Sequence, residues 1–213
     1  MEQCFGTMGG IVRGTGILYQ SSLFLSNLFE FFSQRPMLTE PESPVSLPQP
    51  IRGRLQFHDV SFRYPGTDRD VLKRVSLTIE PGERVAFVGE NGAGKSTVVK
   101  LLARLYDPQE GAVTVDGVDL RAVRSRDWHG RLAVIFQDFV RYSLTARENV
   151  GFGGLTHMHD DRRLEAAARE SGFFEILSGL PQGWDSVLGR MFEGGCELSL
   201  GEWQRVALAR ALV

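Results

Sequence analysis

The sequence predicts an α/β protein, with a mixed sheet core in its first half and a helical subdomain in its second, preceded by one helix. Three observations carry that expectation. A glycine-rich loop, residues 89–97, stands between a short apolar run and a helical pattern. Alternating, strand-like runs crowd residues 55–136. From about Thr145 onward, apolar residues recur at helical spacing instead.

The elements follow in chain order. Residues 14–29 carry no charge, yet Gln20, Ser21, Ser22, Ser26 and Asn27 interrupt them. That is short of the roughly 20 apolar residues a membrane span needs. Ile17, Phe24, Leu28 and Phe31 share one helical face. Glu2 and the lack of a small-residue cleavage site argue against a signal peptide. The expectation is an amphipathic helix over 1–35 that packs on protein and belongs to a larger membrane-embedded unit. Pro36, Pro41, Pro44, Pro48 and Pro50 then make 36–50 an extended linker, because proline lacks the donor that helix and sheet require.

The third segment, 51–213, carries the chemistry. Leu55–Phe62 and Val75–Ile79 alternate as strands, the second ending at the turn Pro81-Gly82. Arg84–Val88 reads as a short buried strand and Val98–Leu105 as a helix. Between them lie Gly89, Glu90, Asn91, Gly92, Ala93, Gly94, Lys95, Ser96 and Thr97. A glycine-rich turn in this setting leaves successive N–H groups pointing inward as an anion cradle. Lys95 is placed to reach the outer phosphates and the Ser96 hydroxyl to ligate Mg²⁺. Thr97 offers a further hydroxyl near the inner phosphates. The loop predicts binding of a nucleoside triphosphate. Beyond it, Ala112–Val115 reads as a strand before the turn Asp116-Gly117, and Leu132–Phe136 as a buried strand. Leu164–Arg169, Phe173–Leu177 and Glu202–Leu212 read as helices.

Composition narrows the partners. With 42 % hydrophobic and 23 % charged residues the chain is an ordinary folded protein. A net charge of −2 gives no electrostatic case for gripping nucleic acid. Two cysteines, Cys4 and Cys196, are too few for a disulfide framework. Among the histidines only His157 and His159 stand close together, in a polar loop that reads as a solvated turn.

Leu198-Ser199-Leu200-Gly201-Glu202-Trp203-Gln204-Arg205 opens an apolar helix and resembles the signature sequence of ATP-binding cassettes (ABC proteins). With the phosphate loop, it makes the chain similar to a P-loop NTPase of the ABC type over residues 17–213. The resemblance implies ATP and Mg²⁺ as cofactors. It also implies that Leu198, Ser199, Leu200, Gly201, Glu202 and Gln204 face the ATP of a second cassette in a head-to-tail pair, homodimeric or heterodimeric. A helix N-terminus suits that role, since its free N–H groups and dipole attract phosphate. The same residues also describe a Ser-capped helix with Glu202 in its first turn. Leu200 stands where many cassettes have glycine.

The resemblance further assigns Gln137 to the Q-loop, sensing Mg²⁺ and the attacking water, and Tyr64 to the adenine. Gln137-Asp138 after an apolar run imitates a Walker B strand; the signature favours the Q-loop reading over Asp138 as a metal ligand. The leading segment is similar to the cytoplasmic end of the last transmembrane helix of ABC exporters, and Thr145–Val150 to the segment after their Q-loop. Gly189–Gly195 falls where exporters carry a loop that contacts the opposite subunit. These likenesses imply an exporter cassette at the cytoplasmic face of a cell membrane, working with a transmembrane domain. No apolar run ending in the Walker B aspartate and catalytic glutamate occurs, nor a switch histidine, so the cassette is expected to be incomplete at its C-terminus and inactive alone. Two alternatives remain: a soluble ABC-type ATPase acting on DNA or ribosomes, and an ATP-binding module without turnover.

Overall fold

A computed structural model describes the backbone of residues 2–33, 36–192 and 194–213, with side chains of the leading helix from residue 13 onward. Met1, Gln34, Arg35 and Glu193 therefore lie outside the described residues, as does the Cys4 side chain. The chain divides into two compact units, 1–122 and 123–213.

The first unit begins with helix α1, Glu2–Ser33. Its described apolar side chains, among them Ile17, Phe24 and Phe31, are exposed. Among the described residues no helix is long and apolar enough to cross a membrane. The proline-rich segment forms neither helix nor strand, but it is tied down. The Val45 amide donates to the Ala122 carbonyl at 2.8 Å, and the Arg104 guanidinium reaches the Thr39 carbonyl at 3.3 Å.

Four strands follow: β1 Leu55–Arg63, β2 Asp70–Ile79, β3 Glu110–Val115 and β4 Val118–Asp119. They form one antiparallel sheet in the order β2-β1-β3-β4. Phe57, Val60 and Phe62 of β1 are buried although strict alternation would separate Phe57 from Val60. A bulge at Asp59, with φ of 45°, resets the alternation. The partner strand must pass close by, and at Gly111 (φ 78°) a Cβ would collide with the carbonyls of His58 and Asp59. Helix α2, Lys95–Leu102, contributes buried Thr97, Val98 and Leu101.

Two expected strands are absent. Residues 84–88 and 132–136 form no ladder, and Val85, Val88, Ile135 and Phe136 are exposed, Val88 at 94 %. The physical reason is the lack of a neighbour: a strand is stable only where its N–H and C=O groups find a ladder. Among the described residues none pairs with either run. The apolar pattern marks a preference for burial that the described residues leave unmet at Val85, Val88, Ile135 and Phe136.

The second unit is helical: α3 Ser125–His129, α4 Ala146–Gly151, α5 Asp161–Ser171, α6 Phe173–Gly179 and α7 Leu200–Leu212. Their core gathers Val150, Leu164, Phe173, Leu188, Leu198, Trp203 and Val206. The starts of α4, α5 and α6 are fixed locally. Thr145 and Glu148 form a reciprocal capping box on α4, Asp160 caps α5, and Gly172 (φ 71°) turns α5 into α6.

Candidate functional site

The phosphate loop stands at the N-terminus of α2. Gly92 and Gly94 take φ of 84° and 90°, in the left-handed region that excludes most side chains. Gly94 is also the N-cap of α2, so the helix begins at Lys95 and its dipole points into the loop. A Cβ at Gly94 would stand 2.6 Å from Leu72 Cδ2 and 3.3 Å from the Val71 carbonyl. The loop thus lies directly on strand β2. Lys95 folds back across it, its Nζ donating to the carbonyls of Gly89 at 2.7 Å and Glu90 at 2.6 Å. Glu90, Asn91, Gly92, Ala93 and Ser96 are exposed, which leaves the cradle open. These residues fit a triphosphate: a lysine held at the rim, a free helix N-terminus and an accessible Ser96 hydroxyl suited to Mg²⁺.

Tyr64 belongs to the same neighbourhood. Its hydroxyl lies 3.1 Å from the Thr97 hydroxyl, and its ring packs edge-on against Phe62 and Tyr106. The Lys100 ammonium sits 5.3 Å from its centroid. Thr97 is buried and engaged with this ring, so its hydroxyl positions Tyr64 rather than opening into the loop.

The signature residues and Gln137 lie in the second unit. Ser199 caps α7: its Oγ accepts from the Glu202 amide at 3.3 Å, and Glu202 Oε2 accepts from the Ser199 amide at 2.7 Å. Those amide and hydroxyl bonds from Ser199 hold the Glu202 carboxyl below the ordinary glutamate range. The N–H groups of Leu200 and Gly201, at the first two helical positions, remain for a ligand. A cleft of about 510 Å³ opens here, lined by Ser199, Gly201, Glu202, Gln204, Arg205 and Ile176. Leu198 is a correction to the expected ligand-facing set. Its side chain is buried in the helical core, because it precedes the cap and packs inward with Trp203. Gln137 and Asp138 are exposed in the loop after 132–136. Among the described residues no group of histidine, cysteine or carboxylate side chains could hold a metal ion.

One network escaped the sequence. Asn149 is fully buried and donates through Nδ2 to three carbonyls, while Arg210 of α7 donates to Asn149 and to Val140. Burial lowers the Arg210 pKa from its ordinary value.

The model of the family described as ABC transporter matches residues 72–213. The chain belongs to the ABC transporter family. The cassette is 34 % identical to the subtilin transport ATP-binding protein SpaT of Bacillus subtilis, over 91 % of this chain and 31 % of that protein. It is 39 % identical to an ATP-dependent lipid A-core flippase of Thiobacillus denitrificans, over 82 % of this chain and 29 % of the flippase. Among solved structures, a bacterial Atm1-family ABC exporter with ATP bound superposes with a TM-score of 0.79 at 34 % identity. That match covers 91 % of the cassette and 33 % of the exporter chain. The cassette thus spans about a third of the length of these two curated relatives. Its relatives are ATP-binding proteins of exporters, which agrees with the fold class and the exporter resemblance read from the sequence.

Proposed function

We propose that this chain is the ATP-binding cassette of a membrane exporter, and that it binds Mg²⁺-ATP at residues 89–97 with Tyr64 against the adenine. The observation that carries the reading is the left-handed Gly92 and Gly94 delivering Lys95 at the start of α2. Bound Mg²⁺-ATP supplies the energy of transport; the chain's own residues receive and orient it. The α2 N-terminus and loop amides hold the phosphates. Lys95 leaves the Gly89 and Glu90 carbonyls to meet the outer phosphates. Ser96 serves Mg²⁺, and Gln137 keeps the Q-loop part that the resemblance implies. The cleft at Ser199 and Gly201 takes the γ-phosphate held by a second cassette, so turnover requires a head-to-tail pair. The exposed apolar side chains of α1 continue into a transmembrane domain at the cytoplasmic face of the membrane.

The test is a calorimetric titration of the chain with ATP and Mg²⁺, beside Lys95→Ala. Saturable binding that the substitution abolishes is the expected result. Undiminished affinity in Lys95→Ala overturns the assignment.

A further inference from the structure

We infer that Arg210 and Asn149 are positioning residues that hold the loop after Gln137 to the signature helix. The inference deepens the proposed function, resting on its roles for Gln137 and Ser199.

The tether has two halves. Arg210, in the last turn of α7, spreads its planar fork over three acceptors. Its Nε reaches the Asn149 carbonyl at 2.8 Å, Nη2 the Asn149 Oδ1 at 3.1 Å, and Nη1 the Val140 carbonyl at 3.1 Å. The guanidinium also lies 4.8 Å from the Tyr142 ring centroid, within cation–π range. Asn149 holds the later part of the same loop: its Nδ2 lies 2.9 Å from the Tyr142 carbonyl and 3.1 Å from those of Leu144 and Thr145. Each residue type matches its task. Only arginine offers several fixed donors on one plane, and a buried asparagine presents donor and acceptor on opposite sides of one amide.

A separate observation shows how close the two elements run. At Gly153, just past α4, a Cβ would collide with the carbonyl oxygen of Arg210 itself. The end of the signature helix is thus pressed against the segment that Asn149 anchors. Gln137 stands three residues before Val140, and Ser199 caps the far end of the Arg210 helix. Gln137 and the signature are therefore the free ends of one fixed assembly within the second unit. A displacement of the loop carries the signature helix with it.

The experiment is ¹⁵N relaxation on the whole chain, comparing wild type with Arg210→Lys and Asn149→Asp. Lysine replaces the fork by a compact charge. Aspartate keeps the acceptor for Arg210 and loses the donor. Order parameters across 139–141 are expected to fall in Arg210→Lys from about 0.85 to below about 0.6, with 144 and 145 unchanged. Asn149→Asp should reverse the pattern, loosening 143–145 and sparing 139–141. Equal values in all three proteins, or a fall that spreads evenly through α5 and α6, overturns the tether. Should Asn149→Asp fail to fold, Arg210→Ala decides, with loosening confined to 139–142 as the supporting result. Adding ATP in the same samples separates the two readings. Unmoved resonances at 89–97 in the wild type sink the nucleotide assignment, while the relaxation pattern judges the tether alone.

Discussion

Replacing Gly94 by alanine should destabilise the first unit far more than the same change at Gly92. Both glycines have left-handed φ, 90° and 84°, and a side chain in that region costs about 1–2 kcal/mol. At Gly92 nothing lies within 4 Å of a new Cβ, so that strain is the whole effect. At Gly94 the Cβ meets Leu72 Cδ2 at 2.6 Å and the Val71 carbonyl at 3.3 Å. Leu72 is 95 % enclosed by a packed core (5 % exposed), and forcing it aside costs a further ~1–3 kcal/mol. The total for Gly94→Ala is about 2–5 kcal/mol, a large share of a domain's stability. Amide exchange in β1 and β3 reads this unit alone. At tenfold per 1.4 kcal/mol, exchange should accelerate by roughly 30-fold to several-thousand-fold in Gly94→Ala, against roughly 5- to 30-fold in Gly92→Ala. Equal acceleration in the two variants would refute the argument that the loop rests on β2.

The remaining predictions concern caps and nucleotide. Thr145→Ala should cost the second unit about 1 kcal/mol, read as a lower thermal midpoint by fluorescence of Trp184 and Trp203. Hydrogen bonds from the Thr145 hydroxyl and amide hold Glu148 below the ordinary glutamate range. Its folded pKa is depressed, so this stabilisation is complete above the unfolded value of about 4.3 and lost as pH falls through the folded one. The midpoint should therefore drop in acid, and drop less steeply in Thr145→Ala. At Tyr64, phenylalanine should hold ATP affinity within about threefold, while alanine should cost about 1–3 kcal/mol of stacking, about 5- to 150-fold in Kd. Equal losses in the two variants would assign Tyr64 to the Thr97 hydroxyl bond instead.

What was legible in the sequence was what neighbouring residues determine among themselves. The phosphate loop is written in glycines whose torsions no other residue adopts cheaply, and Ser199 with Glu202 spells a cap within four positions. Strand β1 and the second half of β2 follow from alternation, although the bulge at Asp59 had no local sign. Residues 84–88 and 132–136 failed as strands because a pattern reports the wish for burial, not the presence of a ladder. Leu198 was grouped with the signature by its place in the motif, while packing sends its side chain inward. Asn149 and Arg210 were invisible for a related reason. They stand far apart in the chain, and nothing in either neighbourhood says that one buried amide serves both.

The buried Arg104 gives the proline-rich segment a mechanical meaning. Its guanidinium joins the Thr39 carbonyl to Asp107 and to the Arg121 carbonyl, just beyond the end of α2. The chain from Ser33 to Thr39 can extend at most about 20 Å, so any slack between the leading helix and the nucleotide fold is taken up within that length. A tug on the helix is then delivered to the rear of the very rod whose front carries Lys95.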